Sequence, residues 1–177
     1  MLTIQPASGE DLAFIVHANH AMALETEGRE LHLPTLNAGV AAALADARRG
    51  RYFVAWENGV AVGTLLLTYE WSDWRNGEFW WIQSVYVEPA ARGKGVFRAL
   101  YAHVLEAART TPGICGLRLY VDHENAAARE TYTKVGMKDA GYSVFEVDFS
   151  SVARYGSASS VTVVRENKPT ETTYRRP

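Results

Sequence analysis

The chain has 177 residues, 47% apolar and 21% charged, enough length for one buried core and too apolar for disorder throughout. Its net charge of −2, with a pI near 6.2, excludes a global field that would draw it to nucleic acid or an anionic membrane. The single Cys, Cys115, excludes an internal disulfide, and no Cys/His group has zinc-ligand spacing, so no metal is expected.

At the N-terminus, "MLTIQPASGEDL" carries no basic segment and no long apolar run. A cytoplasmic protein is therefore expected. Residues 2–6 alternate apolar and polar and stop at Pro6, which suits a short strand. A helix follows, with Ser8 as N-cap, acids in the first turn and Gly28 as its end. A second helix is expected over 35–48, opening at Thr35 or Asn37 and closing at Gly50.

The period then changes from helix to strand. "RYFVAWENGVAVGTLLLTYEW" reads as two strands joined at Asn58-Gly59, and "EFWWIQSVYVEP" adds a third, making an antiparallel meander. Trp71, Trp74, Trp80 and Trp81 gather around one hairpin. Packing in the core and on the sheet faces is the first expectation, and the wall of a cleft is the other. Residues 94–109 return to helical spacing through Phe97, Leu100, Tyr101, Val104, Leu105 and Ala108. "ICGLRLYV" is a strand, with Cys115 expected as a small core residue. "NAAARETYTKVGM" is a helix that Asn125 caps and Gly136 ends, and "KDAGYSVFEVDF" is a last strand.

The resulting order, β-α-α-β-β-β-α-β-α-β, predicts an α/β (α+β) fold: a mixed, mostly antiparallel sheet of about six to seven strands flanked by helices. Residues 1–149 are expected to form one domain. Residues 150–177, rich in Ser, Thr and charge, are expected to form a polar, flexible tail. Five cations against two anions after residue 150 give that tail +3, leaving −5 for the rest.

Chemistry points first to "VYVEPAARGKGVFRAL" (85–100), where a strand gives way to a helix across Arg-Gly-Lys-Gly. A helix N-terminus offers unpaired N–H groups and the positive end of its dipole. Glycines let the chain approach a phosphate closely, and Arg92, Lys94 and Arg98 add diffuse attraction. An anion site and a plain solvated turn are both open on this stretch alone.

Together with "LRLYVDHENAAARETYTKVGMKDAGYSVFE", the stretch resembles the GNAT superfamily of acyl-CoA-dependent N-acetyltransferases. The likeness runs through Arg92 and Gly95 in the first block and through Asn125, Tyr132, Gly136 and Met137 in the second. It covers residues 2 to about 149. Phe97 departs from the pattern, because the family usually has Gly or Ala there.

The resemblance implies acetyl-CoA as co-substrate, no metal, and transfer of its acetyl group to the primary amine of a small molecule. It implies pyrophosphate binding by the backbone of Arg92, Gly93, Lys94, Gly95, Val96 and Phe97, with Arg98 adjoining. It also implies that Val85, Tyr86 and Val87 pair with the pantetheine arm. The strands at 80–87 and 114–121 would splay apart there, and an arm with two amides can satisfy their free backbone groups. Asn125 is either an N-cap or a cofactor contact, and both can hold together.

Tyr132, two turns beyond Asn125 on one helical face, packs on Ala128 and Val135 or, by resemblance, hydrogen-bonds the leaving thiolate and the cofactor. Base and acceptor-side candidates are Glu25, Glu27, Glu70 and Gln83, with Asp73 nearby. Gln83 and Ser84 stand where polyamine-directed relatives tend to carry acids, which argues against a polycationic acceptor. No nucleic-acid or membrane partner is expected, and a homodimer is compatible with the resemblance. The alternatives are a non-catalytic acyl-CoA-binding regulatory module and an RNA-directed enzyme; the second fits poorly with an acidic pI.

Overall fold

The computed structural model describes residues 1–147 and Phe149, so the expected tail over 150–177 lies outside the described residues. The chain divides into two compact units, 1–138 and 139–177. The first holds β1 (Leu2–Pro6), α1 (Leu12–Glu27), α2 (Leu33–Ala45), β2 (Arg51–Glu57), β3 (Val60–Ser72), β4 (Gly77–Val87), α3 (Val96–Thr110), β5 (Ile114–Leu119) and α4 (Ala126–Lys134). The strands form one sheet in the order β1-β2-β3-β4-β5, antiparallel as far as β4 and parallel between β4 and β5. Helices flank this mixed sheet, as the α+β expectation has it.

The sheet has five strands rather than six or seven. The predicted last strand forms no ladder over residues 138–147. Tyr142, Val144, Phe145 and Val147 are instead exposed. Alternation states only that a segment would suit a sheet; a strand forms where a neighbouring edge takes its N–H and C=O groups.

Local signals act where expected. Ser8 Oγ accepts from Glu10 N at 3.2 Å, and Ser8 N donates to Asp11 Oδ2 at 2.7 Å, a reciprocal cap. Gly28, at φ +62°, closes α1. α2 opens two residues earlier than predicted and ends at Ala45, because Pro34 sits in its first turn, where no N–H is needed. Asn58 and Gly59, at φ +51° and +80°, make the two-residue hairpin turn.

Each face of the sheet has its own cluster, since successive strand residues point to opposite sides. Phe53, Ala55, Leu65, Leu67, Trp80 and Ile82 pack with Leu100, Tyr101 and Val104 of α3. Tyr52 and Val54 face the other way, onto Ile15 of α1 and Val40 of α2.

Trp80 is buried as expected, but Trp71 and Trp74, 64% and 88% exposed, are not. They sit at the turn end of the β3–β4 hairpin. Cys115 is also exposed rather than a core residue. It lies on the edge strand over Gly77, where an added Cβ would stand 2.5 Å from its sulfur.

Candidate active site

The β4–β5 ladder ends at Ile82↔Leu119, while β4 runs on to Val87. Gln83 to Val87 therefore have no β5 partner. On its other edge β4 carries an irregularity: Leu66 pairs with Gln83 but Thr64 with Tyr86, so Ser84 and Val85 together oppose Leu65. Ser84 adopts φ +48° to do so, the geometry of a β-bulge that re-aims the strand beside a site.

Beyond β4, Gly93 and Gly95 take φ +74° and +83°, and α3 starts at Val96 with no side chain capping it. The Arg92 amide is already committed, donating to Pro89 O at 3.3 Å. The uncommitted amides run from Gly93 into the first turn of α3, whose N–H groups helix geometry leaves without carbonyl partners. They border a cleft of about 700 Å³ lined by Val87, Arg92, Gly93, Gly95, Val96, Phe97 and Arg98. Lys94 and Arg98 are exposed and form no ion pair with any described residue.

The far wall is less legible in sequence. Tyr101 and Leu105 of α3, Thr131 and Lys134 of α4, and Val135 at the α4 C-cap line the same cleft. Residues 131, 134 and 135 have the i, i+3, i+4 spacing of one helical face, which is the signal that could have found them. Lys134 brings a further cation, paired with Glu130 Oε1 at 2.7 Å.

Arg92 does not aim its side chain at an anion in the cleft. Its Nε donates to Val87 O at 2.9 Å and its Nη2 to Glu25 Oε2 at 2.6 Å, with the guanidinium 5.6 Å from the Tyr86 ring centre. The last turn of α1 is thereby tied to the end of β4. Tyr86 is buried, and burial, with Glu88 and Glu25 beside it, raises its phenol pKa against the opposing pull of Arg92. Val85 and Tyr86 lie on the strand outside the cleft lining.

Phe97 is accommodated by packing. Its ring meets Tyr132 edge-on at 5.6 Å and tilts over Tyr101 at 6.1 Å, so it forms cleft wall. Tyr132 is half-buried, and desolvation raises the pKa of its phenol. Asn125 Oδ1 accepts from Ala128 N at 3.0 Å, the N-cap contact.

The acid candidates fall in separate places. Glu25 is held by Arg92. Glu70 accepts from Arg118 Nη1 and from the Trp81 indole N–H, with the Arg118 guanidinium 3.8 Å over the Phe79 ring. Gln83 donates to Thr68 Oγ1 at 2.6 Å; Thr68 and Glu70 are two residues apart, so Glu70 and Gln83 share one sheet face. Glu27 is exposed at the end of α1, and Asp73 accepts from Trp74 N. No group of three His, Cys, Asp or Glu suited to a metal occurs among the described residues, nor does any helix there have the length and apolarity to cross a membrane.

The fold has parallels in solved structures. A possible acetyltransferase from Clostridium difficile 630 is 41% identical, with a TM-score of 0.79, over 84% of this chain and 97% of that one. A predicted acetyltransferase from Clostridium acetobutylicum, solved with acetyl-CoA, is 19% identical with a TM-score of 0.68, over 88% and 99% of the two chains. The fold is shared too with a ribosomal-protein-alanine N-acetyltransferase from Brucella melitensis biovar Abortus 2308, 17% identical with a TM-score of 0.68, over 84% and 99%. A comparison with the curated proteins returned no match. The model of the acetyltransferase (GNAT) family matches residues 18–137, two-thirds of the sequence and every element of the cleft, and the chain belongs to that family.

Proposed function

We propose that this protein moves the acetyl group of acetyl-CoA to the primary amine of a small molecule by direct attack within a ternary complex. One observation carries the reading: the uncapped first turn of α3 and the two positive-φ glycines before it border a large cleft at the point where β4 loses its partner strand. Amides from Gly93 to Phe97 hold the pyrophosphate, and Lys94 and Arg98 add long-range attraction. Backbone groups of Val85 to Val87 take the pantetheine amides, as an added strand would. Asn125 and Tyr132 complete the cofactor contacts.

Within that complex the Val85 N–H stabilises negative charge on the thioester oxygen. Alignment of the two reactants supplies several of the roughly 7–11 kcal/mol that proximity can provide. Tyr132, whose phenol is neutral at pH 7, donates a hydrogen bond to the departing thiolate. An alkylammonium with a pKa near ~10.4 must lose a proton before it attacks. Glu70 and Gln83 face the acceptor side and order the water that takes it, while Glu25 serves through Arg92. Neutral Gln83 and the paired Glu70 offer little to a polycation, so the acceptor carries few charges.

The test is release of free thiol from acetyl-CoA across a panel of small amines, with heats of coenzyme A binding measured alongside. Binding with turnover on one class of amine is expected. Binding with no turnover on any amine would make the chain a non-catalytic acyl-CoA module, and no heat at millimolar coenzyme A would end both readings.

A further inference from the structure

The cleft is longer than a diphosphate needs. Arg98, Tyr101, Ala102 and Leu105 line it at the i, i+3, i+4, i+7 spacing of one stripe along α3. Seven residues of helix span about 10 Å, so the cleft runs that far beyond the first turn, where the uncapped amides sit. At its other end it reaches Val87 of β4. Its volume of about 700 Å³ falls within the roughly 300–1,000 Å³ that takes a whole small-molecule ligand.

Coenzyme A extends in two directions from its diphosphate. The pantetheine arm leads to the thioester and runs along β4 toward Val85. The other arm is an adenosine that bears a 3′-phosphate. The α3–α4 end of the cleft is the part the first arm leaves free, and its chemistry divides as the second arm does. Leu105 and Val135 are partly buried apolar side chains, and Tyr101 is buried beside them; together they suit a flat base. Lys134 is the cation that lines this end, whereas Arg92 and Arg98 lie at the loop and the first turn of α3.

Lys134 is held loosely. Its Nζ pairs with Glu130 Oε1 at 2.7 Å, and the two side chains are 71% and 67% exposed, so the pair is weak and exchanges readily. An ammonium has three protons to donate, and Glu130 takes one. A phosphate monoester carries a charge of about −1.5 to −2 at pH 7, more than a carboxylate, and competes well for the rest. Thr131 on the same wall has its hydroxyl proton committed to Ala127 O at 2.9 Å, which leaves Lys134 as the side-chain donor of α4.

We propose that the α3–α4 end of the cleft seats the adenosine of coenzyme A and that Lys134 Nζ donates to its 3′-phosphate, so that the protein distinguishes coenzyme A from the 3′-dephospho form. This rests on the acetyl-transfer reading above. Selection of the cofactor then occurs far from the reacting carbon, because the 3′-phosphate is kept or lost with no change at the thioester.

Calorimetry with coenzyme A and with 3′-dephospho-coenzyme A, on full-length wild type and Lys134→Gln, removes the residue and the phosphate in turn. Wild type is expected to bind coenzyme A about five- to tenfold more tightly than the dephospho form, less than a buried charged hydrogen bond would give because Lys134 is exposed. Lys134→Gln should lose that factor for coenzyme A, keep its affinity for the dephospho form within twofold, and raise KM for acetyl-CoA by a matching amount. Loss of one exposed i, i+4 pair should move the melting temperature by no more than about 3 °C. Equal affinity of wild type for the two cofactors would overturn the proposal. So would a Lys134→Gln variant that weakens both by the same factor, or neither. A wild type that gives no heat with either cofactor at millimolar concentration would instead sink the underlying acetyl-transfer reading.

Discussion

Phe97, too large for the usual pattern at its position, meets the Tyr132 ring edge-on, and burial raises the pKa of the Tyr132 phenol. A neutral phenol can donate to a thiolate, although a free thiol with a pKa of about 8.5 is the stronger acid, so the role we propose for Tyr132 is hydrogen bonding rather than full protonation. Tyr132→Phe should therefore lower turnover about tenfold and leave acetyl-CoA affinity within twofold, read from thiol release and calorimetry. Unchanged turnover would remove Tyr132 from the mechanism. Arg92 takes side-chain partners that its place in the loop does not name. Its place in the loop is readable in "ARGKG", yet its guanidinium spans to Glu25, 67 residues away in sequence, a partner no local pattern names.

At the scale of the element, the loop before α3 depends on backbone shape more than on cations. Gly95 has φ +83° and open space around its missing Cβ, so Gly95→Ala meets no clash and isolates the conformational cost. A left-handed alanine costs about 1–2 kcal/mol. Gly95→Ala should lower stability by that amount in urea titration and weaken coenzyme A binding severalfold; a variant with unchanged affinity would show that the glycine serves the fold alone. α3 itself was legible because its apolar residues repeat at helical spacing and bury against the sheet. Leu100 is fully buried there, and Leu100→Ala should destabilise the protein by about 2–5 kcal/mol, checked by the same titration. The predicted last strand and the predicted core Cys115 failed for one reason. Period-two alternation reports which residues share a face, but it cannot say whether an edge is covered.

Across the whole molecule, four tyrosines respond alike to burial. Tyr52, Tyr86, Tyr101 and Tyr132 all have pKa values raised above 10.0, with desolvation the first cause in each. The folded state then binds their protons more tightly than the unfolded chain does. Their contribution to stability is complete below pH 10 and is lost as pH rises through the folded values. Urea midpoints should accordingly hold steady from pH 7 to 9 and fall above pH 10. A midpoint that rises above pH 10 would contradict the burial of these phenols.

The amino-acid order alone determined the elements of the first unit, the Asn58-Gly59 turn and the anion-ready start of α3, because each depends on neighbours within a few residues. It also supported the family resemblance, since both motif blocks are contiguous. Only the tertiary structure decided which side chains meet across elements: Arg92 with Glu25, Phe97 with Tyr132, Asn19 with Tyr52, and α4 as the cleft's second wall. Those contacts join residues tens of positions apart, and packing, register and strand edges select them, none of which has a periodic signature along the chain.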